Sequence, residues 1–470
     1  MLKNKAAFNG YELEVIFGKT SLLNIQNDFN SIGVSIDSRS IESGNIFVAL
    51  PGSKIDGHSK VAEAFEQGAA AAVVEKGKFE NEIENFENKS FIIVENSQTA
   101  LGKFGKFHRN RFEMPIIAVA GSNGKTTTKE MIANLLSIKY KVLKTHANFN
   151  NQLGVPLMLL QLSEDYYLAV LEMGTNEPGE ISILSEMVCP TDGIITNIGK
   201  EHLEKLIDLD GVEMEETSLF GYLNKHAGMA FINSDDSRLT RYQMVIDRKF
   251  TFGSSEESNL SGKISFDSDL NTIIEIQYGE RRLSIHPQTF GYAGGLNALA
   301  AAAVGAHFGL SNEEIILGIE SFSPDKSQGY GRMLCERVGG IMLINDCYNA
   351  NPNSMKAALE DLSRLPMPKE YKIAVLGDMF ELGEAAPSEH LEILELASGI
   401  IGRVFLTGEN FKQAFGKAEL NNVRFFSGKE NLIQELVAGI KGNETVLVKG
   451  SRGMKMETVV SDLKSKLIIE

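Results

Sequence analysis

The chain has 470 residues, of which 43% are hydrophobic, and its formal net charge at pH 7 is -16. This length predicts about three domains, and the apolar fraction is large enough for true cores and excludes a disordered chain. A net charge of this sign argues against a nucleic-acid partner, which requires a basic surface. We therefore expect a globular protein of several domains that binds no nucleic acid.

The sequence shows no feature of export or membrane insertion. The N-terminal residues 1–5 lead into polar sequence rather than into the apolar segment of a signal peptide, and no apolar run reaches the roughly 20 residues of a membrane span. The cysteines, Cys189, Cys335 and Cys347, are scattered and lack metal-binding spacing, which indicates a reducing compartment without disulfides. We expect a cytoplasmic protein without a membrane span that works as a monomer.

The first predicted domain covers residues 1–110. In chain order, its patterns predict a strand at residues 45–50, a helix at 60–68, a strand at 69–75, a polar surface segment at 76–89 and a helix at 97–113. The strand, helix and strand of residues 45–75 form a βαβ unit, which indicates a parallel sheet.

The second predicted domain, residues 111–320, contains the most informative segment of the chain. The apolar run at residues 116–120 predicts a buried strand, and a helical pattern covers residues 129–138. The loop between them supplies the predicted nucleotide contacts, which are Gly121, Ser122, Asn123, Gly124, Lys125, Thr126 and Thr127. The N–H groups of such a loop face an anion, the lysine reaches the outer phosphates and a hydroxyl ligates Mg²⁺. The usual pattern has a glycine where this chain has Val119, so we predict a variant phosphate loop.

Two further strand ends in the second domain carry candidate metal ligands. Residues 167–172 predict a strand that ends at Glu172, and residues 193–197 predict a strand followed closely by His202. Loops at the carboxyl ends of parallel strands gather where ligands bind, so we expect Glu172 to bind Mg²⁺ and His202 to be a ligand. The alternatives are a solvated loop carboxylate and a structural or surface histidine. Further along, the patterns predict a β-rich region at residues 229–290 and an alanine-rich helix at 297–308.

The third predicted domain, residues 321–470, begins with a turn-rich stretch at 321–331. Strands are predicted at residues 340–345, 373–376, 403–406 and 445–448, and helical patterns between them indicate a doubly wound α/β arrangement. The dense polar loop at residues 345–354 suits a ligand surface, with an ordinary polar turn as the alternative. Residues 448–453 and Arg332 are candidates for anion contacts.

These segments, in this order, resemble the Mur ligase family of ATP-dependent amide-forming enzymes over nearly the whole chain. The resemblance rests on residues 37–39, 46–52 and 56–58 in the first domain, on 121–127, 148–156 and 172–174 in the second, and on 348–352, 376–383 and 449–452 in the third. The third-domain motifs resemble the members that add D-Ala-D-Ala. The members that add the third peptide residue carry an Asp-Asn-Pro-Arg motif, which this sequence lacks.

The resemblance implies a three-domain α/β fold with a central P-loop ATPase domain on a mostly parallel sheet and a C-terminal doubly wound α/β domain. The N-terminal domain would bind the UDP-sugar, and the C-terminal domain would hold the ATP ribose and the incoming D-Ala-D-Ala. ATP would phosphorylate the terminal carboxylate of UDP-MurNAc-tripeptide, and the amine of D-Ala-D-Ala would attack the acyl phosphate. Lys125 and Mg²⁺ would neutralise the two anions that must meet.

The resemblance also implies individual site residues. The metal ligands would be Thr126, Glu172 and His202. The ATP contacts outside the loop would be Asn297 at adenine, Asp346 at the ribose and Arg332 near the phosphates. The predicted substrate contacts are Ser38, Arg39, Asp56, His58, Asn150, Asn151, Tyr348, Asn349 and Asn351.

Two positions depart from the pattern of the family. The family has a lysine one helix downstream of the histidine, and its carbamate helps to bind a second Mg²⁺. Residues 211–220 match that helix and place Glu216 at the lysine position. We predict that Glu216 replaces the carbamate, directly or through a water. The alternatives are Glu215, or a pair of helix-surface charges with the second metal held differently.

The second departure precedes Asn297. A His-Asn pair that is common in the family is absent from residues 291–296, so adenine contacts there would come from the backbone.

Two other functions stay open from the sequence. One is another Mur ligase or a folylpolyglutamate-type ligase, which would add a single amino acid or glutamate. The other is a nucleotide-dependent binding protein without ligase chemistry, whose ATP turnover would not depend on an acceptor.

Overall fold

The structure is a computed structural model, and it describes residues 3–52, 55–267, 271–324, 331–417 and 420–467. Most of the turn-rich stretch predicted at residues 321–331 lies outside the described residues. The described residues form three sheets, and the chain divides into two compact units. The first unit comprises Met1–Ala118, Tyr140–Thr175 and Gly179–Asp192, and the second comprises Val119–Lys139, Asn176–Pro178 and Gly193–Glu470.

The N-terminal sheet is buried on both faces. Its strands are β1 (Leu22–Leu23), β2 (Gly33–Ser35), β3 (Asn45–Val48), β4 (Ala71–Glu75) and β5 (Ser90–Val94), in the order β1-β5-β4-β3-β2. The accompanying helices are α1 (Gly10–Phe17), α2 (Val61–Glu66), α3 (Glu80–Ile83) and α4 (Ser97–Arg109). In β4, Ala71 and Val73 belong to one core while Ala72 and Val74 belong to another. Burial on both faces is typical of a parallel sheet and confirms the predicted βαβ unit.

Most described side chains of residues 76–89 are exposed, which confirms the predicted surface segment, but the segment also holds one buried residue that the prediction did not include. It contains α3, and Phe79 within it is buried in the same core as Phe65 and Phe91. The ring centroids of Phe79 and Phe91 lie 6.0 Å apart. Because charged residues surround Phe79 in the sequence, its burial could not be predicted from the local pattern.

The middle sheet joins parallel strands to an antiparallel edge. Its strands are β6 (Ile116–Ala120), β7 (Val142–Lys144), β8 (Leu168–Glu172), β9 (Asp192–Ile195), β10 (Met229–Asn233), β11 (Lys249–Gly253), β12 (Leu260–Phe266), β13 (Thr272–Tyr278) and β14 (Arg281–Ile285), in the order β14-β13-β12-β11-β10-β9-β6-β8-β7. The helices are α5 (Lys125–Leu136), α6 (Gly154–Leu159), α7 (Glu180–Val188), α8 (Leu203–Leu206), α9 (Leu209–Glu216), α10 (Ser218–Lys225), α11 (Ser237–Thr240), α12 (Gly291–His307) and α13 (Asn312–Glu320). Antiparallel pairs join β12, β13 and β14. The predicted β-rich region at residues 229–290 is confirmed.

Two helices of the middle region begin earlier than the sequence predicts. α5 begins at Lys125 rather than at residue 129, and α12 begins at Gly291 rather than at residue 297. The start of α12 is rich in glycine, which is a poor helix former. Close packing explains these glycines, because a Cβ at Gly295 would lie 2.8 Å from the Ile264 side chain on β12. Tertiary packing therefore overrides local helix propensity here.

The C-terminal sheet is the predicted doubly wound arrangement. Its strands are β15 (Leu334–Val338), β16 (Ile341–Asp346), β17 (Lys372–Gly377), β18 (Arg403–Thr407), β19 (Val423–Phe425) and β20 (Thr445–Lys449), in the order β15-β16-β20-β17-β18-β19. The helices are α14 (Pro352–Arg364), α15 (Ala386–Ile400), α16 (Glu409–Phe415), α17 (Lys429–Ala438) and α18 (Glu457–Leu467). β16, β17 and β20 are parallel neighbours, and the three predicted motifs of this domain follow their carboxyl ends. Ligands typically bind at this edge of an open α/β sheet.

None of the helices within the described ranges combines the length and the apolar character needed to cross a bilayer.

Candidate functional site

The phosphate loop between β6 and α5 depends on two glycines. Gly121 has a φ of +110° and Gly124 a φ of +82°, a region that glycine enters at little cost. A Cβ at Gly121 would lie 2.4 Å from Thr196 Oγ1, and a Cβ at Gly124 would lie 2.6 Å from Asn297 Oδ1. Both the backbone conformation and the close neighbours therefore require glycine at these positions.

Hydrogen bonds fix the same loop to the segment after β9. Ser122 N–H donates to the carbonyl of Asn197 at 2.9 Å, and Ser122 Oγ accepts from Gly199 N–H at 2.8 Å. Asn123 N–H donates to Asn197 Oδ1 at 3.2 Å. Thr126 and Thr127 lie half-buried in the first turn of α5. The helix N-terminus and the loop are thus held as a preformed frame, and such a frame suits phosphate.

Lys125 is folded onto this loop. Its Nζ donates to the carbonyl of Gly121 and, at 3.3 Å, to that of Ser122. It also lies 3.4 Å from Glu201 Oε2. A phosphate oxygen is a stronger partner for an ammonium group than a neutral carbonyl, so the lysine is poised to bind an anion at the loop.

Glu216 faces the loop from the end of α9. Its side chain is fully buried, and its Oε2 accepts the N–H of Gly121 at 2.7 Å. Burial raises the pKa of Glu216 to about 8, the charge of Lys125 opposes this rise, and the nearby Glu201 carboxylate adds to it. The alternative of helix-surface charges was wrong, because Glu215 and Glu216 are both buried.

Several buried carboxylate oxygens lack a hydrogen-bond partner among the described residues. They include Glu216 Oε1, Glu201 Oε1 and Glu172 Oε2. A buried, unpaired carboxylate oxygen is costly, and a hard divalent cation is a partner that prefers such oxygens. Glu201 was missed by the sequence analysis, although its position beside His202 was a usable signal.

Glu172 and its neighbours belong to the first compact unit. Glu172 ends β8 and is buried, so the alternative of a solvated loop carboxylate was wrong. Its Oε1 accepts from Asn150 Nδ2 at 2.9 Å, and its N–H donates to Thr145 Oγ1 at 2.8 Å. Asn151 Oδ1 accepts the N–H of Gly154, the first residue of α6, at 2.9 Å.

His202 precedes α8 and contacts the C-terminal domain. Its Nδ1 lies 2.9 Å from Glu381 Oε2, and the hydrogen bond from His202 lowers the pKa of Glu381. Glu381 is part of the motif at residues 376–383, and the sequence analysis did not assign it a role.

Asn297 lies on α12 beside the phosphate loop. Its Oδ1 accepts from Thr128 Oγ1 at 3.1 Å. At the start of the same helix, Tyr292 N–H and Ala293 N–H donate to the Asp361 carboxylate at 3.0 and 3.4 Å. These two N–H groups, which precede Asn297 and were candidates for adenine contacts, are therefore engaged by the C-terminal domain.

The C-terminal candidates form two clusters. Asp346 Oδ2 accepts from Lys449 Nζ at 2.6 Å. Residues 448–453 were predicted to contact an anion, and the anion that Lys449 contacts is the Asp346 carboxylate of the protein itself. The carbonyl of Asn349 accepts from Lys449 at 3.0 Å. The Arg332 guanidinium lies 3.8 Å from the ring centroid of Tyr348, which is cation–π geometry.

Asn351 connects the C-terminal motif to the phosphate loop. Its Oδ1 caps α14 by accepting from Ser354 N–H at 2.8 Å, and its Nδ2 donates to Asn123 Oδ1 at 3.1 Å. The structure therefore brings together Asn123, Lys125, Glu216, Asn297 and Asn351, which the sequence placed up to 228 positions apart.

The predicted substrate residues of the N-terminal domain already have partners within the protein. Ser38 Oγ donates to Glu63 Oε1 at 2.9 Å, and Arg39 pairs with Asp37 at 2.8 Å while remaining exposed. His58 Nδ1 lies 2.6 Å from Asp56, and its Nε2 accepts from Glu75 N–H at 2.9 Å. The substrate contacts of these residues stay predictions.

A three-domain α/β chain with a phosphate loop and buried carboxylates is the architecture of a nucleotide-using protein. Three family models match: "Mur ligase family, catalytic domain" at residues 32–109, "Mur ligase middle domain" at 119–305 and "Mur ligase, glutamate ligase domain" at 331–452. The chain belongs to the Mur ligase family. The three-domain α/β fold and the family resemblance predicted from the sequence are confirmed.

The chain is similar to the UDP-N-acetylmuramoyl-tripeptide--D-alanyl-D-alanine ligase of Bacillus subtilis, with 34% identity over 95% of this chain and 96% of that relative. Among solved structures, it is similar to MurF from Acinetobacter baumannii, with a TM-score of 0.86 and 28% identity over 98% of this chain and 99% of that one. It is also similar to the MurF ligase from Thermotoga maritima in complex with ADP, with a TM-score of 0.82 and 26% identity over 93% and 97%.

Proposed function

We propose that this chain adds D-alanyl-D-alanine to UDP-MurNAc-tripeptide in peptidoglycan precursor synthesis. The chain is an ATP-dependent, ADP-forming amide ligase, like the other members of its family. The observation that carries the substrate assignment is the full-length match to relatives that bear this activity in their names. The hydrogen bond between Asn351 and Asn123 adds support, because it joins the motif typical of these relatives to the phosphate loop.

The residues of the loop suit the first chemical step. The terminal carboxylate of the peptide attacks the γ-phosphorus of ATP, the bond to the β-phosphate oxygen breaks, and ADP leaves. Two anions must approach for this step, so positive charge and N–H donors at the loop lower the barrier. Lys125 supplies the charge, and the N-terminus of α5 supplies the donors.

The second step forms the amide. The amine of D-Ala-D-Ala attacks the acyl carbon, inorganic phosphate leaves, and the amine nitrogen loses a proton. Water is the competing nucleophile, so the acyl phosphate requires a site that excludes it. We propose that the contact between the Asn351 loop and the phosphate loop helps to cover the reacting atoms.

We propose that Thr126, Glu172, His202 and Glu216 are Mg²⁺ ligands. The partnerless buried oxygens of Glu172 and Glu216 support this role. Within the described part of the chain, no three His, Cys, Asp or Glu side chains form a metal-binding group. Mg²⁺ commonly takes one or two carboxylates and completes its shell with phosphates and water, and a buried carboxylate such as Glu172 or Glu216 is a ligand of that kind. Bound there, Mg²⁺ would neutralise charge on the transferring phosphate.

We propose that Glu216 takes the place of the carbamylated lysine of the family. Its carboxyl group is present without added carbon dioxide, a bound Mg²⁺ would favour its ionised form, and its position against Gly121 supports a role at the loop. The expected result is ligase activity that does not respond to added bicarbonate. Full activity of Glu216→Ala at limiting Mg²⁺ would contradict this role.

Phosphate release by the purified protein tests the proposed activity against its alternatives. ATP and UDP-MurNAc-tripeptide are supplied with D-Ala-D-Ala, with one D-alanine, or with L-glutamate. Of these three acceptors, we expect only D-Ala-D-Ala to give rapid phosphate release. Preference for a single amino acid would identify another ligase of the superfamily, and turnover without any acceptor would identify a nucleotide-dependent switch.

We also propose that the protein is a cytoplasmic monomer, since the cytoplasm supplies its phosphate donor ATP. Cell fractionation and sedimentation velocity test these two points.

A further inference from the structure

The contact between His202 and Glu381 joins the middle region to the C-terminal domain. Glu381 Oε2 lies 2.9 Å from His202 Nδ1. A carboxylate accepts hydrogen bonds, so Nδ1 carries the proton and Nε2 keeps its lone pair in the neutral ring. Nε2 has no hydrogen-bond partner among the residues that the structure describes. The ring is thus held in the tautomer that a metal ligand requires.

Both partners of this contact have unusual backbone conformations. His202 has a φ of +47° and Glu381 a φ of +63°, in the left-handed region that side chains other than glycine rarely adopt. The carbonyl of Glu381 also accepts the N–H of Glu204 at 3.5 Å. An exposed contact of this kind would stabilise the fold very little even as an ion pair, whereas such backbone strain destabilises it. Because Glu381 is 60% exposed, stability alone does not account for this geometry.

Hydrogen bonds to other parts of the C-terminal domain fix the loop that carries Glu381. Asp378 accepts the N–H groups of Asn410 and Phe411, each at 3.0 Å. Met379 N–H donates to His390 Nε2 at 3.0 Å, and Phe380 N–H donates to Ser451 Oγ at 2.9 Å. These contacts hold the residues just before Glu381 against the C-terminal sheet, so the Glu381 carboxylate is presented by a rigid support.

We propose that Glu381 is a positioning residue, supplied by the C-terminal domain, that fixes the tautomer and orientation of His202 for a divalent cation. A carboxylate behind a metal-binding histidine raises the basicity of the ring and orients it. Because the two residues lie in different domains, cation binding at His202 depends on the arrangement of those domains. This inference rests on the proposed metal role of His202.

Mn²⁺ binding in the presence of ADP, followed by electron paramagnetic resonance, tests the inference without ligase turnover. The variants are Glu381→Ala, Glu381→Gln, His202→Ala and the double variant His202→Ala/Glu381→Ala. Glu384→Ala is the matched control, because Glu384 is an exposed carboxylate three positions further along the same loop. Thermal unfolding of each variant checks that it is folded.

We expect Glu381→Ala to weaken Mn²⁺ binding by about tenfold or more. Glu381→Gln should lose less, because the amide oxygen still accepts the Nδ1–H. The same Glu381→Ala change should have no further effect once His202 is alanine, and Glu384→Ala should match the wild type.

Two results would overturn the inference and leave the metal role of His202 intact. In the first, His202→Ala binds Mn²⁺ weakly while Glu381→Ala binds it as tightly as the wild type. In the second, Glu381→Ala lowers Mn²⁺ affinity by the same factor whether residue 202 is histidine or alanine. Wild-type Mn²⁺ binding by His202→Ala would instead contradict the proposed metal role itself.

Discussion

Asp361 gives the protein a pH-dependent stability that one substitution should remove. It lies buried on α14 and accepts two N–H groups from the start of α12. Burial raises the pKa of Asp361 from its ordinary 3.8 to about 6, and the hydrogen bonds from Tyr292 and Ala293 only partly oppose this rise. Between about pH 4 and pH 6 the native protein therefore keeps a proton on this carboxyl group that the unfolded chain has already lost.

The sign and the size follow from proton linkage. A raised native pKa means that the stabilisation is fully present below pH 3.8 and is lost as the pH rises through about 6. One pKa unit corresponds to about 1.4 kcal/mol, so the complete loss amounts to about 3 kcal/mol. Asparagine keeps the acceptor oxygen and does not ionise. The advantage of the wild type over Asp361→Asn should therefore fall by about 2 kcal/mol between pH 4 and pH 7, which is most of the complete loss.

Calorimetric unfolding of both proteins at several pH values measures this difference. Comparing the two cancels the contributions of other carboxyl groups, whose pKa values shift in both directions. Glu360→Gln, one position away on α14, controls for the loss of a carboxylate from this helix. A wild-type advantage that stays constant from pH 4 to pH 7 would refute the assignment of a raised pKa to Asp361.

Three further changes test the phosphate loop and its neighbours. Gly124→Ala should destabilise the loop by at least about 1–2 kcal/mol through its left-handed backbone and weaken ADP binding in calorimetric titrations, whereas Gly221→Ala, with open space around it, should do neither. Lys125→Met should lower kcat about 10²–10³-fold in a phosphate-release assay; an unchanged kcat would exclude the lysine from the transfer step. Glu216→Gln should raise the Mg²⁺ concentration needed for half-maximal activity by about tenfold or more, and an unchanged Mg²⁺ requirement would place Glu216 outside the metal site.

Local patterns in the sequence were sufficient to predict much of the fold. Short apolar runs followed by glycine or polar residues marked β6, β8 and β9, and the same pattern marked most strands of the C-terminal sheet. Such runs can be recognised in the sequence because a buried parallel strand is continuously apolar. The first residues of helices were harder to predict. At the start of α12, for example, close packing against β12 requires glycine, although glycine is a poor helix former.

Pairings between distant residues could not be read from the sequence. Lys449 pairs with Asp346 from 103 positions away, and Glu381 reaches His202 from another domain. The motifs marked both segments as important, but a motif does not state which side chain meets which. Glu216 was found by matching residues 211–220 to a helix of the family that the sequence resembles, and its full burial became visible only in the packed structure.

Isotope transfer from the peptide to the released phosphate tests the central claim most directly. The terminal carboxylate of UDP-MurNAc-tripeptide is labelled with ¹⁸O and incubated with ATP, D-Ala-D-Ala and the purified protein. If the carboxylate is phosphorylated and then displaced by the amine, each amide formed should place one ¹⁸O in inorganic phosphate. Unlabelled phosphate, or phosphate release without formation of the pentapeptide, would contradict the proposed ligase.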